Sequence, residues 1–180
     1  KILVVVHYAG ETANLLKLYQ LSKKFNFKII EDASHALGSK YKNNKIGSCK
    51  FSSVTVFSFH PVKPITTGEG GMVTTNDLKL CKKIRSLRSH GIEKNVPKNK
   101  KNSKLWYYEQ QYLGFNYRMN DIEASLGISQ LESINNFIKK RNFLALRYKK
   151  KLSTMPIKFQ ETDPKNLSSY HLFTINLLEK

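Results

Sequence analysis

Residues 52–71, SSVTVFSFHPVKPITTGEGG, read as a buried strand that runs into a constrained turn carrying a single lysine. Val54, Val56 and Phe57 are β-branched or aromatic, and the run predicts a strand over 53–59. Pro61 and Pro64 each fix their own φ, and Pro64 also biases Val62 and Lys63 toward extended conformations. Gly68, Gly70 and Gly71 then allow positive φ or close backbone approach. Lys63 is therefore expected at the carboxyl end of a strand beside a glycine-rich loop, where ligands of α/β sheets gather. Restraint on both sides suits an amine that must reach one fixed point; the alternative is an ordinary solvated lysine.

A second strand carries its own marker. FKII, residues 27–30, is apolar and then breaks into EDASHALG, so Glu31 and Asp32 fall at a strand's carboxyl end. An aspartate and a lysine on neighbouring strand ends suit pyridoxal phosphate, which needs a lysine for its Schiff base and an acidic partner to keep the pyridine nitrogen protonated. Taken alone, Asp32 also reads as a helix N-cap.

The rest of the chain continues the α/β alternation. Strands are expected near 2–6, 27–31 and 72–75, with helices near 12–25 and from the Asp77 cap to about Arg88. Residues 93–104, EKNVPKNKKNSK, lack apolar periodicity and read as a mobile loop. WYYEQQY, 106–112, follows with four aromatics in seven residues, suited to a sugar-nucleotide wall, a dimer interface or core. Asn120 and Glu123 have the form of a capping box, predicting a long helix with Ile122, Leu126, Leu131, Ile134 and Ile138 near helical spacing. MPIKF and HLFTINLL read as two strands opening a small domain. The expected division is a large domain over 1–138 and the start of a small one over 139–180.

At 180 residues and 40% hydrophobic, the chain can bury a core as one domain and part of another. It has no apolar run approaching the roughly 18 residues that span a bilayer, and Ile2–Val6 is too short for a signal sequence's apolar region. A cytoplasmic protein without membrane partners is expected. Cys49 and Cys81 lack CxxC spacing and a histidine cluster, so neither a disulfide framework nor a metal site is predicted. The net charge of +18 suggests nucleic acid, and a basic RNA-binding module is the outside alternative. However, 26 of the 31 basic residues are lysines, scattered in short groups, whereas base- and phosphate-reading surfaces favour arginine. No specific nucleic-acid partner is expected; the positive potential would gather small anions instead.

The series VVVHYAG, IIEDASHALGSKYKNNKIGS, VFSFHPVKPITTGEGGMVTTND, LRSHGI and GFNYRMNDIEASLGISQL, in this order, resembles the DegT/DnrJ/EryC1/StrS sugar aminotransferases. The resemblance implies the large domain of a fold-type-I, pyridoxal-5'-phosphate-dependent transferase: an α/β fold whose mixed, mostly parallel sheet lies between helices. By motif, Lys63 is the Schiff-base lysine and Asp32 the partner of the pyridine nitrogen. His35 resembles the family's His or Gln beside the cofactor ring and its phenolic oxygen; alone it reads as a satisfied histidine at a helix start. Ser58 matches the serine that holds the cofactor phosphate. Asn116, in GFNYR, corresponds to an asparagine reaching the phosphate in the neighbouring subunit's site, which implies a homodimer with shared active sites. WYYEQQYLGFNYRMND is most similar to the branch that uses glutamate to aminate C4 of a UDP-linked 4-keto-6-deoxy-N-acetylhexosamine in pseudaminic acid biosynthesis; amination of another nucleotide-linked 3- or 4-keto sugar is the nearest alternative. A branch with histidine in place of the lysine dehydrates its sugar, and Lys63 argues against it. Family members extend further at both ends, so the chain resembles a central piece of an aminotransferase.

Overall fold

The computed structural model describes residues 1–93 and 106–178, which group into two compact units, residues 1–76 with 121–180 and residues 77–120. The expected loop over 93–104 lies, beyond Glu93, outside the described residues. In chain order, the first unit begins with β1 (Ile2–Val6), α1 (Leu15–Phe25) and β2 (Lys28–Asp32). A short hairpin of β3 (Lys40–Tyr41) and β4 (Asn44–Lys45) precedes β5 (Val54–Ser58) and β6 (Gly71–Thr74). The second unit holds α2 (Leu78–Arg88), β7 (Ile92–Glu93) and β8 (Glu109–Gln110). The chain then returns to the first unit with α3 (Asp121–Glu132), α4 (Ile134–Lys151) and an antiparallel pair, β9 (Ile157–Phe159) and β10 (Ile175–Leu177).

The main sheet has the order β1-β2-β5-β6, with β1, β2 and β5 parallel and β6 antiparallel. Helix α1 makes the crossover between β1 and β2. Asn14 caps its start by accepting from the Lys17 amide, and Asn26, in the left-handed region, ends it. The β5–β6 connection has no crossover helix. It folds back on itself, the Phe59 amide donating to Gly70 O at 2.8 Å, so β6 must return antiparallel.

Register sets which residues share a face. Val6 pairs with Asp32 and Asp32 with Val56, so the two-residue alternation puts Asp32, Val56 and Ser58 on one face and Glu31, Thr55 and Phe57 on the other. The second face is the buried one: Glu31, Thr55 and Phe57 are all almost completely covered. Glu31 is thus not a neighbour of the Lys63 loop. Its carboxylate meets His7 Nε2 at 2.9 Å and accepts from the Ser52 hydroxyl, while His7 Nδ1 accepts from the Ala13 amide at 3.2 Å. Because Nδ1 is occupied as an acceptor, Nε2 carries the proton toward Glu31.

Three sequence expectations need correction. α1 begins at Leu15 rather than near residue 12, after its Asn14 cap. The long helix after Asn120 is two helices separated at Ser133, whose amide bonds back to Gln130 O in a tight three-residue turn while its carbonyl starts α4. Serine favours such junctions over helix interiors. Of the five apolar positions read at helical spacing, Ile138 alone is fully covered, against Gly38. Finally, HLFTINLL forms a strand only from Ile175. The preceding residues dock instead: Ser169 N donates to Ser39 Oγ at 2.9 Å, Ser169 Oγ donates to His35 O at 2.8 Å, and Ser39 Oγ donates to Gly10 O at 2.8 Å.

This docking makes Gly10 a sensitive position. Its φ is +95°, and a Cβ there would collide with Ser169 Oγ and lie 2.8 Å from Tyr170 N. Gly68 has a similar φ of +83° but open space around it. Gly10→Ala is expected to cost about 1–3 kcal/mol more in urea unfolding than Gly68→Ala, since both carry the left-handed strain but only the first overpacks. Equal costs would show that the 168–171 segment does not press on Gly10.

In the second unit, the Asp77 carboxylate accepts from the Lys79 and Leu80 amides at 2.8 and 3.1 Å, as its position before α2 predicts. Asn116 forms an antiparallel bridge with Ser89 and its side chain is exposed.

Candidate functional site

The carboxyl ends of β2 and β5 carry the titratable residues expected there. Asp32 closes β2, and its Oδ1 accepts from Ser34 N at 3.0 Å and Ser34 Oγ at 2.6 Å. The aspartate therefore ends the strand in an Asx-type turn rather than capping a helix. Burial pushes its pKa up, but the two Ser34 hydrogen bonds, with smaller pulls from the nearby His35 and the Lys63 charge, outweigh this and leave it below the ordinary carboxylate value. Asp32 is thus a firmly ionised, half-buried carboxylate.

His35 follows in the same turn rather than at a helix start, and its Nδ1 accepts from the Ala9 amide at 3.2 Å. Burial and the Lys63 charge lower its pKa against the opposing pull of Asp32, so the ring is held neutral with its proton on Nε2. Lys63 sits half-buried in the turn after β5, its amide donating to His60 O at 2.9 Å. Its charge acts on Asp32, His35 and His171 together. Ser58 ends β5 on the Asp32 face, with its hydroxyl 3.4 Å from the His60 amide.

The structure therefore brings Asp32, His35 and Lys63 into one cluster with Ser58 on the same sheet face. Asn116 belongs to the second unit. These residues fit pyridoxal phosphate: an ionised carboxylate for a protonated ring nitrogen, a primary amine for covalent attachment, and a hydroxyl at a strand end for a phosphate. Among the described residues, no group of three or more His, Cys, Asp or Glu could hold a metal ion, and no helix is long and apolar enough to cross a membrane.

Sequence reasoning missed His171. Its ring lies 4.4 Å from that of His35, centroid to centroid, and its Nδ1 is buried without a hydrogen-bond partner. Arg141 of α4 holds the segment by donating to Tyr170 O and His171 O, while Asn142 donates to Ser168 O. No local signal could have found this residue, because 136 positions separate it from His35 and its sequence reads as part of a strand.

His171 gives the cluster a pH signature. Burial, then the neighbouring His35 and the charges of Lys63 and Arg141, lower its pKa from 6.5 to about 4. The unfolded chain accepts a proton near 6.5 while the folded chain resists until about 4, so this contribution to stability is complete above pH 6.5 and is lost as pH falls toward 4. His171 is partly exposed, so solvent screening keeps the effect small. Urea midpoints between pH 7 and 4 should fall more steeply for the unmodified chain than for His171→Gln; parallel curves would refute the assignment.

The sequence model of the DegT/DnrJ/EryC1/StrS aminotransferase family matches residues 1–180. A Campylobacter jejuni protein named UDP-4-amino-4,6-dideoxy-N-acetyl-beta-L-altrosamine transaminase is 42% identical over 179 residues, covering 96% of this chain and 44% of that protein. The structure of Helicobacter pylori PseC, described as an aminotransferase of pseudoaminic acid biosynthesis, superposes with a TM-score of 0.86 at 39% identity, over 97% of this chain and 44% of that one. The pyridoxal-phosphate form of the putative sugar aminotransferase Spr1654 from Streptococcus pneumoniae superposes with a TM-score of 0.85 at 28% identity, over 98% and 48% of the two chains. The chain spans less than half the length of these relatives. With a mostly parallel α/β sheet, an aspartate and a lysine at neighbouring strand ends, and a family match along its whole length, the chain belongs to the DegT/DnrJ/EryC1/StrS aminotransferases.

Proposed function

We propose that the protein is a cytoplasmic, pyridoxal-phosphate-dependent aminotransferase that transfers the amino group of glutamate to C4 of a UDP-linked 4-keto-6-deoxy-N-acetylhexosamine, as in pseudaminic acid biosynthesis. The observation that carries this reading is the clustering of Asp32, His35 and Lys63 in a chain 42% identical to a transaminase named for that sugar. The nearest rival is amination of another nucleotide-linked keto sugar at C3 or C4.

Pyridoxal phosphate, when bound, supplies an electron sink for the negative charge that develops on the substrate's α-carbon. Asp32, kept ionised by Ser34, holds a proton on the pyridine nitrogen; each pKa unit of such bias is worth about 1.4 kcal/mol. Lys63 would hold the cofactor covalently, and its amine, when free, would take the proton from the substrate's Cα. In the second half-reaction the same amine delivers a proton to C4 of the sugar. His35 supports the ring and its phenolic oxygen, Ser58 binds the phosphate, and Asn116 reaches the phosphate of the neighbouring subunit's site in a homodimer. On this reading residues 1–138 belong to the large domain and 139–180 open the small one.

The test is an absorbance spectrum of the protein with added pyridoxal phosphate, before and after borohydride, with peptide mapping of the modified lysine. Labelling at Lys63 alone, followed by glutamate-dependent bleaching, supports the reading. Labelling scattered over many lysines, or no band, overturns it. Mass spectrometry of products from a panel of keto sugars separates the C4 hexosamine from its rivals.

A further inference from the structure

The opposite end of the main sheet carries a cavity of about 310 Å³, lined by Tyr19, Ser22 and Lys23 of α1, the Asn26–Ile29 stretch entering β2, and Lys50–Ser53 entering β5. It opens at the amino ends of β2 and β5, whereas Asp32 and Ser58 lie at their carboxyl ends. Five residues at ~3.3 Å each separate the two ends of β2 by roughly 13 Å. The cavity is therefore distinct from the Lys63 cluster.

Three lysines surround it. Lys23, Lys28 and Lys50 have no carboxylate partner among the described residues, so their like charges gather unneutralised around one concave surface. Many lysines of a +18 chain are unpaired, and charge alone would carry nothing. What distinguishes this place is the aromatic floor beneath the charges. Tyr19 and Phe51 meet edge to face at 5.9 Å, with Lys23 Nζ 5.0 Å from the Tyr19 ring centroid and Lys50 Nζ 5.7 Å from that of Phe51. Phe51 is itself braced edge to face by the buried Tyr41 at 5.6 Å. Two of the three ammonium groups, those of Lys23 and Lys50, thus lie over these rings. Ser52, also in the lining, is fixed by its bond to the buried Glu31.

We propose that this cavity binds a nucleoside polyphosphate of mononucleotide size. Phosphoryl oxygens neutralise the three ammonium groups, and the planar base packs against the Tyr19, Phe27 and Phe51 rings. The volume lies at the lower end of ligand pockets, ~300–1,000 Å³, which limits the ligand to about one nucleotide. Such a site is separate from the substrate chemistry proposed above and does not depend on it.

The experiment is calorimetric titration of the protein with ADP at 0.15 M salt, where the field of scattered surface charges is largely screened. ADP is expected to bind at least ~10-fold more tightly than adenosine or pyrophosphate, because each of these keeps only half of the contacts. Lys23→Glu with Lys50→Glu should weaken ADP by at least ~10-fold, and Phe51→Leu should weaken ADP but not pyrophosphate. Lys150→Glu with Lys151→Glu makes the same change in net charge on the last turn of α4, away from the cavity, and should leave ADP affinity within about twofold. If the two charge-reversed pairs weaken binding equally, attraction is only the general field of the chain. If Lys23→Glu with Lys50→Glu has no effect, ADP binds elsewhere, the Lys63 cluster included. Either result, or no binding at millimolar ADP, overturns the proposal. Thermal melts of each variant, Phe51→Leu included, test that the fold is intact before affinities are compared.

Discussion

Lys63→Ala is expected to reduce glutamate-dependent transamination by at least ~10³-fold, because one side chain both attaches the cofactor and moves the proton in each half-reaction. The loss should occur without unfolding. Lys63 makes its structural hydrogen bond through the backbone, to His60 O, which the substitution keeps, so the change in stability should stay within about 1 kcal/mol. Lys63→Arg separates chemistry from charge. It should be equally inactive, because a guanidinium stays protonated and makes no Schiff base, yet it keeps a cation at the site. The pKa values of Asp32, His35 and His171 are all held down in part by the Lys63 charge. In NMR titrations they should rise in Lys63→Ala and rise less in Lys63→Arg. Activity in Lys63→Ala above about a tenth of normal would remove the lysine from the reaction, whatever the titrations show.

The largest effect on folding is expected at the other acidic residue of the same dipeptide. Glu31 and His7 are 2% and 0% exposed, and they hydrogen-bond each other at 2.9 Å. Removing one leaves the other buried and poorly compensated. Glu31→Leu and His7→Leu should each cost about 3–5 kcal/mol in urea unfolding. The double substitution should cost less than the sum of the two singles by at least ~1 kcal/mol, since the orphaned partner disappears with it. Strict additivity would mean that the pair contributes nothing as a pair. Activity is the second readout: Glu31→Leu should reduce it only in proportion to the unfolded fraction, whereas Asp32→Asn should impair it in a fully folded protein.

That contrast shows where sequence reading stopped. Both carboxylates could be assigned to the end of one strand from FKIIED, but their opposite roles follow from the pleat, which sends adjacent side chains to opposite faces. Which face is buried was decided by the packing of β1, β2 and β5 with His7 and Ser52. The Lys63 turn was legible because prolines and glycines act on the backbone within one or two residues. The Asp77 cap was legible for the same reason, its bonds reaching only Lys79 and Leu80. The break at Ser133 was not, since the residues on both sides continue a helical pattern and the turn gains its place from how α4 packs on Gly38.

From the sequence alone came the α/β alternation, the lysine turn, the Asp32 strand end and the family resemblance, all carried by short-range periodicity, local backbone restraint and motif order. Tertiary structure alone decided that the tilted His171 ring lies against His35, that Ser169 locks Ser39 and Gly10, that Glu31 is a buried partner of His7, and that three lysines share an aromatic-floored cavity. Contacts between residues up to 136 positions apart leave no periodic or local trace in either partner, so they become visible only once packing has brought the segments together.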